Sequence, residues 1–343
     1  MIKQIIKLSE NNLIPDYLIR FGIRHLLKKR LASLVDLAEN TNRKNKINFI
    51  NMMDQAKIAE VPELANQQHY EITSDFYSLC LGSNKKYSSC FWDKNTINLD
   101  QAEKNALEIT CSRADIHDGL SILELGCGWG SLTLWMAQRY PNSHITAVSN
   151  SASQKKYILD QATDRGLNNI TIITCDMNHL SLDQQFDRIV SVEMIEHMRN
   201  HRKLFNLIAS WLKPSGLFFM HIFVHKSQPY LFEVNNDDDW MSQYFFSGGM
   251  MPSLDLPHHF QDSLKLKDQW VWSGHHYEKT ANAWLKNLDA NKAESLYVLS
   301  KIYGKNSAKL WNQRWRIFFM ACAELWGFND GDEWLVGHYT FTK

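Results

Sequence analysis

Hydrophobic residues follow two different patterns along the chain. Between residues 120 and 225, short apolar runs alternate with amphipathic helical stretches, and a Lys-Pro-Ser-Gly turn is predicted at 213–216. The predicted strands are 122–125, 144–148, 170–174, 186–192 and 217–224, and the predicted helices between them are 131–140, 153–165 and 204–212. Strands that alternate with helices at this spacing predict a mostly parallel sheet covered by helices on both faces, which is an α/β fold.

Helical periodicity dominates on both sides of this core. The predicted elements are helices at 5–38 with a break near Pro15, a linker or helix end at 39–48, an aromatic helix and loop at 67–92, a helix at 99–111, long helices at 278–302 and 306–326, and a strand at 334–341. We therefore predict three parts: an N-terminal helical extension over 1–60, a ligand-binding core with a preceding lid segment over 61–225, and a substrate cap with terminal strands over 226–343.

The second N-terminal helix carries a cluster of basic residues. Its sequence RFGIRHLLKKRL, at 20–31, interleaves five Arg and Lys residues with apolar ones. Two interpretations remain open, an ordinary solvated helix face and a basic amphipathic helix that touches a membrane or an acidic ligand.

The core is organised around a glycine-rich turn. The stretch ILELGCGWG at 122–130 is an apolar strand that leads into Gly126, Gly128 and Gly130, and a helix follows. Such a turn lets backbone N–H groups approach a nucleotide-like ligand closely. A phosphate-binding P-loop is excluded because no Gly-Lys-Ser/Thr follows. A purely structural turn in another α/β protein is the alternative.

Polar residues follow the predicted strands at the edge where such sheets bind ligands. Asn150 and Gln154 follow the second strand and can hydrogen-bond a ribose or a ligand carboxylate, whereas a dehydrogenase would have an acidic residue there. Asp176 and Met177 follow the third strand. The Asp176 carboxylate could accept from an adenine amino group, or it could cap a helix.

The segment SVEMIEHM, at 191–198, is the strongest chemical signal. On a helical turn Glu193 would face Glu196 and His197 at spacings of three and four residues. Two carboxylates beside an imidazole would raise its pKa and suit it to general-base work. Solvated charges at a helix start are the alternative.

Composition narrows the function classes. Lys plus Arg and Asp plus Glu both number 37, which argues against nucleic acid as the main partner. The six cysteines form no C-x-x-C pair, so we expect reduced thiols rather than a disulfide frame or a zinc site. The paired histidines at 258–259 and 275–276 lack other ligands, and no metal is expected. Without a long apolar run or a signal peptide, a cytoplasmic location is predicted.

Several motifs together resemble a known family. The core resembles the class I S-adenosylmethionine-dependent methyltransferases, in particular the branch shared by cyclopropane-fatty-acid synthases and coclaurine-type N-methyltransferases. The motifs that carry the resemblance are QHYEITSDFY, KKYSSCFW, ILELGCGWGS, SNSASQ, SVEMIEHM, MHIFVHKS, DDDW with YFFSGGMMPS, GHHYEKTANAW and RWRIFFMACAELWGFNDGDEW. They cover most of the chain, and the last four look closer to the N-methyltransferases.

The resemblance implies a Rossmann-like fold with a helical, aromatic-rich cap, S-adenosylmethionine as cofactor, and a set of site residues. It implies that the cofactor is held by Tyr87, Ser88, Gly126, Gly128, Gly130, Asn150, Gln154, Asp176, Met177 and Val192. It also places Glu196 and His197 where an amine is deprotonated or oriented, beside Glu193. Cys322 stands where the family has a cysteine once suspected of catalysis, although its apolar neighbours favour a buried small residue.

The lipid enzymes of this family differ in one respect. They hold a bicarbonate with residues that match Glu196, His221 and Tyr277, but the cysteine that joins them is Ser89 here, with Cys90 one position later. The resemblance therefore favours methyl transfer to an amine nitrogen of a small apolar or aromatic molecule. The alternatives are a cyclopropane-synthase-like enzyme that uses bicarbonate, acts on acyl chains and contacts a membrane surface, or a cofactor-binding protein without catalysis. A homodimer is a further family-based expectation.

Aromatic residues of the cap could wall an apolar acceptor and stabilise its positive charge through cation–π contacts. The candidates are Tyr77, Tyr87, Trp240, Phe246, Tyr277, Trp315, Phe319 and Trp326. Most of them could equally be core residues, because helical spacing of aromatics is what packing alone produces.

Overall fold

The computed structural model describes residues 2–35, 39–60, 72–234 and 239–343. Two motifs therefore fall partly outside the described residues, at 68–71 and at 237–238. The helices are α1 Ile2–Glu10, α2 Asp16–Val35, α3 Glu39–Gln55, α4 Ser74–Cys80, α5 Leu99–Arg113, α6 Ser131–Arg139, α7 Ala152–Asp164, α8 His201–Trp211, α9 Trp240–Tyr244, α10 His275–Ala290, α11 Lys292–Tyr303 and α12 Ala308–Trp326.

The strands confirm the predicted mostly parallel sheet. They are β1 Ser121–Leu125, β2 His144–Ser149, β3 Ile170–Thr174, β4 Phe186–Val192, β5 Leu212–His225, β6 Tyr230–Leu231, β7 Met250–Met251, β8 Lys265–Trp272 and β9 Trp334–Thr342. Seven of them form one sheet in the order β3-β2-β1-β4-β5-β9-β8. The first five are parallel, and β9 and β8 add to the edge in antiparallel orientation.

Neighbouring side chains of the central strand serve the two faces of this sheet. Ile122 packs against the helices α5, α6 and α7, whereas Leu123 packs against α3 and α8. Successive residues of a strand point to opposite faces, so apolar residues at both Ile122 and Leu123 are what a strand covered on both sides requires.

Four sequence predictions were wrong in detail. The polar segment 39–48 is not a linker, because it begins the helix Glu39–Gln55. The stretch 278–302 is two helices that meet at Asn291, where the backbone leaves helical dihedral angles at φ −103° and ψ 30° and the side chain donates to the Leu79 carbonyl. The predicted turn 213–216 lies inside β5, where the register with β4 shifts. The strand β8 was not predicted.

Capping explains where some helices begin. α8 starts at His201, three residues before the predicted 204, because the Asn200 side chain accepts a hydrogen bond from the Lys203 N–H at 2.9 Å. α5 begins in the same way after Asn98, which accepts from the Gln101 N–H at 2.9 Å. These side chains satisfy backbone N–H groups that a helix start otherwise leaves open.

The N-terminal helices are attached to the cap by ion pairs. Arg20 and Arg24 of α2 both pair with Glu324 of α12, at 2.8 and 2.6 Å. Glu10 of α1 pairs with Arg314 of the same cap helix at 2.9 Å. Two of the basic residues predicted to face solvent or a membrane therefore bind α12. None of the helices in the described residues is long and apolar enough to cross a membrane.

Candidate functional site

Two adjoining cavities open at the carboxyl ends of the parallel strands. The smaller has a volume of about 60 Å³ and lies beside β2 and β3, and the larger has a volume of about 190 Å³ and extends beneath the cap helices. We call them the small chamber and the large chamber. Residues that line both are Gly126, Gly128, Gln154, Met194 and His197. Both cavities therefore lie at the sheet edge that was selected from the sequence as the place for a ligand.

The three glycines of the turn differ in their relation to the chambers: Gly126 and Gly128 line them, and Gly130 does not. Gly126 has a φ of +82°, and a Cβ there would lie 2.5 Å from the Met194 Cγ. Gly128 has a φ of +52°, and a built Cβ meets no atom of the described residues within 4 Å, so this position is open to the two chambers that it lines. Gly130, predicted to bind cofactor, lines neither chamber among the described residues, and its missing Cβ leaves room for Ile158.

The small chamber contains the polar residues predicted after the second and third strands. Asn150, Asp176 and Met177 line it. One Asp176 carboxylate oxygen accepts from the Asn178 N–H at 2.7 Å, a local turn similar to the helix cap that was the alternative. Because this bond uses only one oxygen, the turn and the lining of a ligand chamber are compatible roles for Asp176.

Gln154 offers a buried hydrogen-bond donor to the chambers. Its side-chain carbonyl accepts from the Ser149 hydroxyl at 2.6 Å, but its buried Nε2 has no partner within the described residues. In the large chamber, the hydroxyls of Thr110 and Ser131 are likewise buried without a partner in the part of the chain that is described. A ligand or an ordered water with acceptor oxygens would satisfy these donors, and the amino-acid and ribose parts of S-adenosylmethionine carry such oxygens.

The loop with Tyr87 and Ser88, both predicted to hold the cofactor, lines one side of the large chamber. It is held by the buried carboxylate of Glu103, which accepts from the N–H groups of Gly82, Asn84 and Lys86 at 2.8–3.1 Å. Burial raises the pKa of Glu103 to about 7, although the three N–H donors oppose this shift. The sequence prediction missed Glu103, since nothing in a helix at 99–111 marks one glutamate as a loop anchor.

Glu193 is at the centre of a hydrogen-bonded cluster rather than on the predicted helical turn. Its φ is +47°, and the turn that follows it is a short 3₁₀ helix, Ile195–His197. One carboxylate oxygen accepts from the Ser89 N–H at 2.8 Å and lies 3.1 Å from the His221 Nε2, and the other accepts from the Tyr277 hydroxyl at 2.7 Å. The carboxylate that joins His221 and Tyr277 is thus Glu193, whereas the residues matched to the bicarbonate site of the lipid enzymes were Glu196, His221 and Tyr277.

Burial and charge act against each other at Glu193. Burial raises its pKa, while the Lys86 ammonium, the Ser89 N–H and the Tyr277 hydroxyl all favour the ionised form. Burial is the larger effect, so the pKa of Glu193 is raised, and the three donors limit that rise.

Glu196 and His197, predicted to act as one pair, have different surroundings. His197 lines both chambers, and its ring packs against Phe246 with centroids 4.5 Å apart. Glu196 is fully buried, lines neither chamber among the described residues, and accepts from the Phe223 N–H at 2.8 Å. Burial, followed by the nearby Glu193, raises the pKa of Glu196 well above its ordinary value. Only His197 is therefore placed to meet a ligand directly.

Cys322 lines the large chamber, but its environment is that of a structural cysteine. Burial, and then the neighbouring Glu193, raise the pKa of its thiol. The thiolate is the nucleophilic form of cysteine, so this site disfavours catalysis by Cys322.

The cap supplies an apolar wall for the large chamber. Four of the eight candidate aromatics line it, namely Tyr87, Phe246, Tyr277 and Trp326. The other four, which are Tyr77, Trp240, Trp315 and Phe319, are buried core residues. Lining residues that the sequence prediction missed are Trp129, Phe223, Phe232, Trp284, Phe318 and the buried carboxyl of Glu124. Periodicity did not identify the lining aromatics, because they come from loops, a strand and the same helices that carry core aromatics such as Trp315 and Phe319.

Comparison with known proteins gives a consistent result. The family model described as mycolic acid cyclopropane synthetase matches residues 59–333. The (S)-coclaurine N-methyltransferase of Thalictrum flavum subsp. glaucum is 37% identical, covering 100% of this chain and 96% of that protein. The enzyme of the same name from Papaver somniferum is 34% identical, covering 99% of this chain and 98% of that protein.

A lipid enzyme is more distant. The cyclopropane-fatty-acyl-phospholipid synthase of Escherichia coli (strain K12) is 30% identical, covering 80% of this chain and 67% of that protein. Among solved structures, coclaurine N-methyltransferase bound to N-methylheliamine and SAH superimposes with a TM-score of 0.96 at 35% identity, covering 100% of this chain and 99% of that one. These relatives match the predicted branch and the predicted fold.

Proposed function

This chain belongs to the mycolic acid cyclopropane synthetase family and is an S-adenosylmethionine-dependent methyltransferase, and from that premise we propose that its acceptor is an amine nitrogen of a small, apolar aromatic molecule. The observation that carries the proposal is the position of His197. It lines both chambers, so it stands at the passage through which a methyl group must move from one ligand to the other.

The small chamber and the glycine turn are the proposed place of the cofactor's nucleoside. Gly126 and Gly128 offer close backbone approach, and Asn150, Gln154 and Asp176 offer polar side chains. Bound S-adenosylmethionine supplies a methyl group that its positively charged sulfur already activates. The protein therefore has to align the acceptor nitrogen with that group and exclude water, which is a task of positioning.

The large chamber fits the proposed acceptor in shape and charge. Aromatic and Met side chains supply apolar contacts, and the faces of rings such as Phe246 and Trp326 attract cationic charge. An amine must lose its proton before it can attack a methyl carbon. We propose that His197 accepts that proton, and that the Glu193 carboxylate holds the ammonium before transfer and the methylated cation after it.

Glu196 takes a different role in this proposal from the one the sequence indicated. Its carboxyl binds the backbone N–H of Phe223, and Phe223 lines the large chamber. We propose that Glu196 positions the 3₁₀ turn of His197 against β5 instead of exchanging a proton with the substrate. The cytoplasmic location and the homodimer stay predictions.

The test is methyl transfer from labelled S-adenosylmethionine. Purified protein is incubated with (S)-coclaurine and simpler tetrahydroisoquinolines, or with phospholipid vesicles that contain unsaturated acyl chains. We expect label in the amines. Label in lipid alone, or a requirement for added bicarbonate, would overturn the amine proposal in favour of the cyclopropane-synthase alternative.

The residue roles are tested by substitution. His197→Asn is expected to reduce turnover at least about 100-fold, the usual effect of removing a general base, while the affinity for S-adenosylhomocysteine changes little. Glu196→Gln, which keeps the acceptor for the Phe223 N–H, is expected to retain much more activity. His259→Asn, at an exposed histidine far from the chambers, is the control. Near-wild-type turnover of His197→Asn would refute the base assignment.

A further inference from the structure

A row of four buried or partly buried polar side chains leads from the outer end of α5 to the large chamber. The Arg113 Nη1 lies 2.7 Å from the Nδ1 of His338 on β9. His338 is paired directly across the sheet with His221 on β5, and their ring centroids are 4.6 Å apart. The His221 Nε2 lies 3.1 Å from the Glu193 carboxylate. None of the motifs discussed above includes Arg113 or His338.

Hydrogen-bond chemistry fixes the protons in this row. A guanidinium group can only donate, so the Nδ1 of His338 accepts and its single ring proton is on Nε2. The Glu193 carboxylate accepts, so the ring proton of His221 is on its Nε2 and its Nδ1 carries a lone pair. Burial lowers the pKa of both imidazoles well below the ordinary value, which keeps each ring neutral with one proton.

The remaining nitrogens of the two rings are complementary. The His338 Nε2 and the His221 Nδ1 are both buried, and neither has a partner within the described residues. With the tautomers assigned above, the His338 Nε2 is a donor and the His221 Nδ1 is an acceptor. Trp272 confines both rings, with centroids 5.5 Å from His221 and 4.2 Å from His338. The opposite tautomer of His338 would place its proton against the Arg113 guanidinium and lose this complementarity.

We propose that Arg113 and His338 are positioning residues that hold His221 in the tautomer that donates to Glu193, and so keep Glu193 a carboxylate directed at the acceptor amine. The role of Glu193 toward the amine rests on the proposed function. The assignment of the two histidine tautomers rests only on their hydrogen-bond partners. Arg113 to His338 and His221 to Glu193 are hydrogen bonds, whereas the two imidazoles meet by ring packing, so the positive charge of Arg113 acts on His221 through space.

Arg113 is suited to this role because it remains charged. Its guanidinium lies against the rings of Trp270 and Trp272, with centroid distances of 4.9 and 5.7 Å. Burial lowers its pKa only to about 10, which leaves it protonated at neutral pH.

Other groups also act on Glu193 and set the size of the expected effect. The titratable groups around it are Lys86 and Cys90 of the loop before α5, Glu196, His221, Tyr277 of α10 and Cys322 of α12. Lys86 supplies a second positive charge that favours the carboxylate. Because His338 and His221 lie between Arg113 and Glu193, removal of Arg113 should shift the Glu193 pKa by at most about 1 unit, below most of the range for a charge in direct contact.

The first test compares Arg113→Met with Arg113→Lys, which keeps a charged donor. In Arg113→Met we expect the acidic limb of the kcat profile to move up to about 1 pH unit higher, because the carboxylate loses stabilisation, with kcat lowered several-fold at neutral pH. Arg113→Lys should retain most of the wild-type profile, and affinity for S-adenosylhomocysteine should be unchanged in both. Arg139→Met, which removes a comparable contact between an arginine and Trp135, is the control.

The second test does not depend on turnover. In ¹⁵N-histidine-labelled protein, nitrogen shifts report which ring nitrogen is protonated, and signals are assigned by their loss in His221→Asn and His338→Asn. We expect an Nε2 proton on both rings in wild type and a tautomer mixture for His338 in Arg113→Met. An Nδ1 proton on either ring of wild type would overturn the proposal. So would an unchanged pH profile of Arg113→Met. Wild-type protein with the expected tautomers but no amine methylation would instead refute the proposed function.

Discussion

Substitution of Gly128 by alanine should separate cofactor binding from folding. Gly128 has a φ of +52°, and a built Cβ meets no atom within 4 Å because it projects toward the two chambers. Gly119 offers a matched control, since it has a φ of +88°, also meets nothing within 4 Å, and lines neither chamber among the described residues. The two substitutions therefore impose similar backbone strain, and only one places a methyl group in the ligand site.

The expected cost to folding is small and similar for both variants. A left-handed conformation costs an alanine about 1–2 kcal/mol, and the reduced entropy of the unfolded chain returns about 0.4–1 kcal/mol. Each variant should thus lose about 1 kcal/mol of unfolding free energy, measured by urea denaturation. Affinity should differ, because an extra methyl group in a packed site costs about 1–3 kcal/mol.

The assay is calorimetric titration with S-adenosylhomocysteine. Gly128→Ala should raise the Kd at least about fivefold, the equivalent of 1 kcal/mol, and Gly119→Ala should leave it unchanged. Equal dissociation constants for the two variants would refute the assignment of the glycine turn to the cofactor. A large loss of affinity in Gly119→Ala would show that backbone strain lowers the affinity, rather than a methyl group that projects into the chambers.

Three further predictions concern other parts of the molecule. Burial raises the pKa of Glu103 in the folded state to about 7, so the folded protein binds one more proton than the unfolded chain between pH 4.5 and 7. The free energy of unfolding should therefore fall by up to about 3 kcal/mol as pH rises through this window. In urea denaturation, Glu103→Gln should show a weaker dependence of this free energy on pH. Arg316 pairs with Asp16 of α2 and Asp289 of α10, so Arg316→Gln should lower the free energy of unfolding, measured by urea denaturation, by about 1–2 kcal/mol. Lys156→Gln, which breaks an exposed ion pair, should lower it by less than about 0.5 kcal/mol. Cys322→Ala should keep kcat within about twofold and bind S-adenosylhomocysteine normally, because a thiol with a raised pKa supplies little nucleophile; loss of most activity there would restore a catalytic role.

The sequence predicted the core of the fold because its signals are local. Apolar runs that end at Leu125 and Val192 are too short for helices and are bounded by glycine or charge, so they predict buried strands at nearly the observed bounds. The strand β8 escaped this reasoning. Its exposed and half-buried residues include Lys265 and Asp268, and it is held as an edge strand by pairing with β9, which no local pattern shows.

The sequence indicated which residues lie near the chambers better than it indicated which side chains hydrogen-bond to one another. Strand ends located Gln154, Asp176 and His197, because the carboxyl ends of parallel strands meet at one edge. The partners of Glu193 were assigned incorrectly, since spacing along a helix was assumed where the backbone has a positive φ. Hydrogen bonds between residues as distant in sequence as Glu193 and Tyr277 depend on tertiary packing and leave no trace in spacing.

The ion pairs that attach the N-terminal helices to α12 connect these helices to the wall of the large chamber. Glu324, which Arg20 and Arg24 hold from outside, is followed at once by Leu325, which forms part of the acceptor wall. A substitution in the first 25 residues can thus shift the wall without altering any residue that a substrate touches. Efforts to transfer specificity between relatives should therefore exchange the N-terminal helices together with the cap.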